Sequence, residues 1–218
     1  NIAFRFLKSS KGQTILIALG IAVGVSVQIF IGSLIQGLQV SLLDKTIGSS
    51  SHITLATEKK GELIEEYQGL LQQIEKSDSR ITNLNATSDG PALLRQQKDN
   101  YSVLLRGMDI NASDKIYDFS SSLYEGTMPK KPGEVIIGRE LQANTGASVG
   151  DEIELLSNSG NIEKLRISGF YDLKVAALNE TWIISSLKTS QQFFGYGKAI
   201  TSIEMQLAEE FAAEEVSA

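Results

Sequence analysis

Between Gly12 and Leu43 the chain carries 32 consecutive residues without a charge, and the most apolar part, Ile15 to Ile35, is 21 residues long. As a helix rising about 1.5 Å per residue, that part spans roughly 31 Å, the thickness of a bilayer's hydrocarbon core. A buried helix of a soluble protein is seldom so long. A cleaved signal peptide has an apolar region of only about 7–15 residues followed by a small-residue cleavage site, and no A-x-A follows here. The pattern therefore predicts one membrane-spanning helix. Its helical spacing continues through Leu38, Leu42 and Leu43, so residues 12–43 read as the span plus a helical stalk, ended by the loop Gly48–Ser51. Before it, Ile2, Ala3, Phe6 and Leu7 share a helical face opposite Arg5 and Lys8. Residues 1–11 thus read as an amphipathic segment, lying on anionic lipid or docking a cytoplasmic partner.

After the stalk the period changes. His52–Ala56 alternates as a strand, Glu62–Lys76 is amphipathic with Leu63, Tyr67, Leu70, Leu71 and Ile74 on one face, and Ile81–Thr87 is the next strand. Tyr101–Arg106 is strand-like and Asp114–Phe119 a short helical turn. Glu134–Ile137 leads into a helix at Arg139–Asn144. Asp151–Leu156 and Glu163–Tyr171 form an antiparallel pair around the turn Ser157–Asn161. Thr181–Ser185, a helix at Leu187–Phe194 and Thr201–Leu207 make a second β-α-β unit, and Glu209–Val216 is again helical in pattern. The predicted fold class is an α+β extracytoplasmic domain of ferredoxin-like, porter-like βαβ units with an inserted mostly-β subdomain, carried on one N-terminal transmembrane helix. Its parts are residues 52–100, the insert 101–175, and residues 176–218. The chain starts at Asn1 and stops inside a helical pattern, so it reads as a fragment.

Charge orients this arrangement. Residues 1–45 hold Arg5, Lys8, Lys11 and Lys45 against Asp44, a balance of +3, whereas the remaining 16 basic and 25 acidic residues give −9. Three basic residues precede the span and Asp44 cancels Lys45 after it, which puts the N-terminus in the cytoplasm and residues 44–218 outside the plasma (inner) membrane. An acidic domain lacks the positive footprint that nucleic acid requires. With no cysteine, disulfides and thiolate metal sites are excluded.

Within the span, Gly20, Gly24, Gln28, Gly32 and Gln36 recur every fourth residue. Gly20 and Gly24 form G-x-x-x-G, which lets two helix backbones approach closely in lipid, and glutamines are costly against acyl chains. This ridge predicts packing against another membrane helix.

No constellation for catalysis emerges. Gly146-Ala-Ser-Val-Gly150 matches G-x-S-x-G, but a helix precedes it and a strand follows, the reverse of a nucleophile elbow. The only histidine, His52, lies upstream and has no metal-ligating companion. Asp109, Asn111 and Ser113 imitate the start of a calcium loop, but positions six and twelve are Asp114 and Ser120 instead of Gly and Glu, so they read as turn and capping residues. There is no P-loop motif, and Gly195-Tyr-Gly197 reads as a turn. Glu65/Glu66, Glu209/Glu210 and Glu214/Glu215 read as solvated helix faces.

In combination, these segments resemble the first half of an ABC-transporter permease of the FtsX/MacB/LolC type. The resemblance rests on the opening Asn1–Lys8 with its Gly- and Val-rich span and on Leu105-Arg-Gly-Met-Asp109. It rests also on Pro132–Gly138 with Gly146–Leu155, and on Ile167–Phe170, Trp182–Ile184 and Leu187–Gly195, in that order. It implies a permease with four membrane helices and a large extracytoplasmic domain between the first two. It implies a dimer with a second permease copy or paralogue, and a cytoplasmic ABC ATPase as the partner that binds ATP, so that this chain holds no cofactor. It further implies transmission of ATP-driven motion to extracytoplasmic domains that export or release a lipoprotein, peptide or small molecule. The alternative is a single-span receptor or adhesion module whose ectodomain binds a ligand.

Overall fold

The structure is a computed structural model describing residues 11–46, 50–59, 61–96, 99–208 and 213. Residues 1–10 lie outside the described set, as does nearly all of Glu209–Val216, so the amphipathic segment and the terminal helical pattern are not addressed. The chain divides into two units, Asn1–Lys45 and Thr46–Ala218.

The described residues of the first unit form one helix, α1 (Lys11–Thr46). No proline interrupts it, and in lipid a helix satisfies every backbone group internally, which tolerates its glycines. It continues without a break through the predicted stalk. Ile15–Ile35 is long and apolar enough to cross a membrane.

The second unit is built on one sheet. β1 (Ile53–Ala56) pairs antiparallel with β9 (Ser202–Leu207), and β9 pairs antiparallel with the first half of β2 (Ile81–Arg95). β1 and β2 are therefore parallel with β9 between them, joined by α2 (Tyr67–Ser77) as a split β-α-β unit. β2 continues into a hairpin with β3 (Asn100–Met108), and β3 lies parallel to β8 (Trp182–Ser186). From β8, α7 (Leu187–Phe194) leads to β9, the second β-α-β unit. Between β3 and β8 the chain forms α3 (Ile110–Tyr117), α4 (Phe119–Ser122), β4 (Leu123–Gly126), β5 (Glu134–Gly138), α5 (Arg139–Thr145), β6 (Glu152–Ser157), β7 (Ile162–Tyr171) and α6 (Ala176–Thr181).

Pairing follows the order β1-β9-β2-β3-β8-β5-β7-β4, while β6 pairs with both β7 and the far half of β2. That extra strand closes β2, β3, β8, β5, β7 and β6 into a six-stranded barrel, and closure removes exposed edges. Leu94, Leu105, Ile137, Leu155, Leu165 and Ile183, one from each strand, are fully buried in its interior. The alternate residues Met108, Ile136 and Ile184 face outward under Ile116, Tyr117 and Phe119 of α3 and α4. Burial on both faces explains the unbroken runs Val135-Ile-Ile137 and Ile183-Ile184. A third core lies where Tyr67, Leu70, Leu71 and Ile74 of α2 cover Ala86, Ile203 and Met205.

Several expectations are corrected. α2 begins at Tyr67 instead of Glu62, because Ile64 exchanges backbone hydrogen bonds with Ile200 at 2.8 and 3.0 Å and so cannot join a helix. Glu65 and Glu66 accordingly precede α2 and are exposed. β2 runs eight residues past Thr87: Ser88-Asp-Gly-Pro91 reads as a turn in isolation but is held straight by pairing with β3. The pattern gave no sign of β4 or α6. The β2–β3 hairpin spans residue 100, and Ile183 of β8 and Phe193 of α7 belong to the same buried cluster as the barrel strands.

Candidate functional site

The ridge residues Gly20, Gly24 and Gly32 lie on α1 with no described atom within 4 Å of where a Cβ would sit. Gln28 is exposed, and the side chain of Gln36 lies outside the described set. The large apolar side chains from Ile15 to Ile35 are 49–73% exposed, so the described residues leave this helix uncovered. Close helix packing through the ridge accordingly remains a proposal.

The motifs set aside as non-catalytic are placed plainly. Gly146 caps α5 in the left-handed region at φ 67°, followed by the turn into β6, where Ser148 donates its N–H to Asp151 at 2.8 Å. The Asp109 side chain accepts from the N–H groups of Asn111 and Ala112, an N-cap of α3. Gly195 ends α7 at φ 73°. His52 accepts the Leu207 N–H on Nδ1 at 3.1 Å, and its own N–H donates to the Met205 carbonyl at 2.8 Å. The first and last strands described in this unit, β1 and β9, are thus tied side by side.

The structure also assembles a buried ionic cluster that sequence reasoning missed. Arg106 on β3 stands opposite Asp89 on β2, and its Nε donates to Asp89 Oδ2 at 2.8 Å. Its Nη2 donates to Glu204 Oε1 of β9 at 2.5 Å, and Nη1 reaches Tyr117 Oη of α3 at 3.4 Å. The guanidinium lies 4.2 Å from the centre of the Trp182 ring, a stacking position on β8. Four elements besides its own strand therefore converge on one residue that is 3% exposed. Burial works against the guanidinium's charge, but Asp89 and Glu204 together outweigh it and hold the proton on. Burial raises Asp89 to about 6 against the opposing pull of Arg106. Among the described residues, Asp89 Oδ1, Glu204 Oε2 and both amide atoms of Asn85 find no hydrogen-bond partner.

This cluster is located where β2 passes from the porter-like sheet into the barrel. Its chemistry is cohesive: it joins β9 to β3 by charge across the strand between them. The signal in the sequence was a lone charge inside an apolar strand, Arg106 in Val103–Met108 and Glu204 in Ile203–Met205. A lone charge of this kind is buried only when paired.

The segments that carried the resemblance acquire physical roles. In Leu105–Asp109, Leu105 fills the barrel, Arg106 holds the cluster, and Asp109 caps α3. A Cβ on Gly107 would lie 2.2 Å from Ser190 Cβ, so this glycine lets α7 seat on β3. In Pro132–Gly138, Gly133 turns at φ 83°, and a Cβ on Gly138 would lie 2.2 Å from the Asn179 carbonyl oxygen.

A helix long and apolar enough to cross a membrane, followed by an α+β unit whose sheet closes into a barrel, defines a class by architecture, the membrane-anchored α+β domain. Residues 14–218 match the MacB-like periplasmic core domain, and the chain belongs to that family. Its relatives and neighbours are ABC-transporter permeases of the FtsX/MacB/LolC type. It is 24% identical over 201 residues to the lipoprotein-releasing system transmembrane protein LolC of Xylella fastidiosa strain 9a5c, covering 87% of this chain and 48% of that protein. The same figures hold for LolC of strain Temecula1. The chain thus spans about half the length of these relatives. The extracellular domain of the noncanonic ABC-type transporter YknZ from Gram-positive bacteria superposes with a TM-score of 0.53 at 9% identity, covering 75% of this chain and 86% of that one. The periplasmic region of MacB from Actinobacillus actinomycetemcomitans gives 0.53 at 14%, covering 79% and 82%. At these identities the two structures establish the fold.

Proposed function

We propose that this chain is the front half of a permease subunit that transmits movement, driven by a cytoplasmic ABC ATPase, from the membrane to its extracytoplasmic domain. The observation that carries the reading is the adjacency of β1 and β9. The chain segment arriving from α1 and the one departing after Leu207 are bonded to each other through His52. Displacement applied to either strand therefore acts on the sheet that runs on into the barrel. In this reading the N-terminus lies in the cytoplasm and residues 44–218 outside, which the basic residues before the span support. Gly20, Gly24, Gln28, Gly32 and Gln36 form the face by which α1 packs against other membrane helices, within the subunit or across a dimer with a second copy or paralogue. The moved substrate is a lipoprotein, peptide or small molecule handled on the outer side, by analogy with the lipoprotein-releasing relatives.

The test uses the full-length permease reconstituted with its ATPase. Spin labels at the exposed loop position Asn158 of two paired subunits are expected to change their separation between nucleotide-free and ATP-trapped states. Distances indifferent to nucleotide would reject the reading and leave an anchored binding module in its place.

A further inference from the structure

The cluster around Arg106 is unbalanced. One cation faces two carboxylates, Asp89 on β2 and Glu204 on β9, each with one oxygen on the guanidinium and the other unpartnered among the described residues. Beside them Asn85, opposite Glu204 in the ladder and 1% exposed, has neither amide atom bonded among the described residues. Around Asp89, its N–H donates to the Thr201 hydroxyl at 2.9 Å, its charge acts on the Tyr196 hydroxyl from the loop after α7, and Arg106 connects it to the Tyr117 hydroxyl of α3. None of these is a cation. A carboxylate kept from water with a bare oxygen is costly as an anion, and a proton removes that cost directly.

The position is as informative as the charge. Asp89 lies on β2 between Thr87, the last residue of that strand paired with β9, and Ala92, the first paired with β6 of the barrel. At that point the Arg106–Glu204 bond links barrel strand β3 to porter-like strand β9. While Asp89 is ionised, the guanidinium is divided between two anions. Once Asp89 is neutral, Arg106 and Glu204 form a one-to-one pair with no surplus buried charge.

We propose that this cluster is a proton-operated lock: uptake of one proton by Asp89 tightens the junction between the barrel and the porter-like sheet, and its release loosens it. The lock does not depend on the transporter reading, since it is a property of this unit's own fold.

The sign is fixed by linkage. A group that binds its proton more tightly folded than unfolded stabilises the fold on acidification, and that contribution is lost as pH rises through the folded value. With Asp89 at about 6 in the fold and near 3.9 when exposed, the opening constant of the junction falls about tenfold between pH 7.5 and 5.0.

The experiment is hydrogen exchange of the β9 amides, Ser202–Leu207, in the 218-residue chain held in lipid nanodiscs, corrected for the intrinsic pH dependence of exchange. Wild type is expected to gain about tenfold protection at pH 5.0, and Asp89→Asn to show none of that gain. Equal protection at both pH values in wild type, or the same gain in Asp89→Asn, would overturn the proposal. Should Asp89→Asn fail to fold, the Asp89 carboxyl of wild type can be followed by carbon NMR. A titration midpoint about 6 supports the lock, and one in the ordinary carboxylate range near 4 refutes it.

Discussion

Replacing Arg106 with Met keeps an unbranched, apolar stem of similar reach and deletes the charge. Asp89 and Glu204 then remain with side chains 20% and 6% exposed and no cation between them. Removing one partner of a buried ion pair costs about 3–5 kcal/mol, chiefly because the survivors stay buried and uncompensated. The stacking on Trp182 contributes within that figure, since effects in one network do not add independently. A loss of about 4 kcal/mol at pH 8 is expected, a large share of the roughly 5–15 kcal/mol that holds a domain together. Acidification should shrink the loss to about 2 kcal/mol or less at pH 5, because a carboxylate without its cation takes up a proton readily. The triple variant Asp89→Asn, Arg106→Met, Glu204→Gln should recover most of the stability, because it leaves no charge buried. Urea unfolding of the chain in nanodiscs measures all of this through Trp182, the only tryptophan in the sequence, which lies against the guanidinium. A loss below about 1 kcal/mol for the single variant, or a triple variant no more stable than the single one, would refute the charge argument and leave only lost packing.

Other expectations are more local. Leu94→Ala should destabilise the barrel by about 3 kcal/mol through a dry cavity, seen as a lower urea midpoint with an unchanged slope. Gly138→Ala places a methyl carbon against the Asn179 backbone, and overpacking of this kind costs about 1–3 kcal/mol; a thermal midpoint equal to wild type would count against that contact. Gly24→Leu should leave ectodomain unfolding unchanged while weakening helix association, read as oligomer dissociation in nanodiscs together with loss of ATPase stimulation in the full complex. Unaltered association would remove the close-contact role assigned to the ridge.

Much of the architecture was legible along the chain. The span was evident because an uninterrupted apolar run of bilayer length has few other uses. Both β-α-β units and the β6–β7 hairpin were readable because alternation and helical periodicity are local properties. The turn at Gly146–Gly150 and the cap at Asp109 were readable too, since cap and turn chemistry depends only on neighbouring residues. The start of α2 was misplaced because Ile64 is claimed by Ile200, a partner far along the chain. The length of β2 was underestimated because Gly90-Pro91 is a turn signal wherever no partner strand overrides it.

The sequence by itself determined a membrane helix, its ridge of small and polar residues, the α+β class and the family. Only the tertiary structure decided that β6 closes a barrel, that β2 serves two cores at once, and that Asp89, Arg106 and Glu204 meet. Those three residues come from three strands, and Glu204 lies 98 positions from its partner. Periodicity reports which face a residue occupies. Strand order alone brings opposite charges together across a sheet, and it is set by long-range pairing.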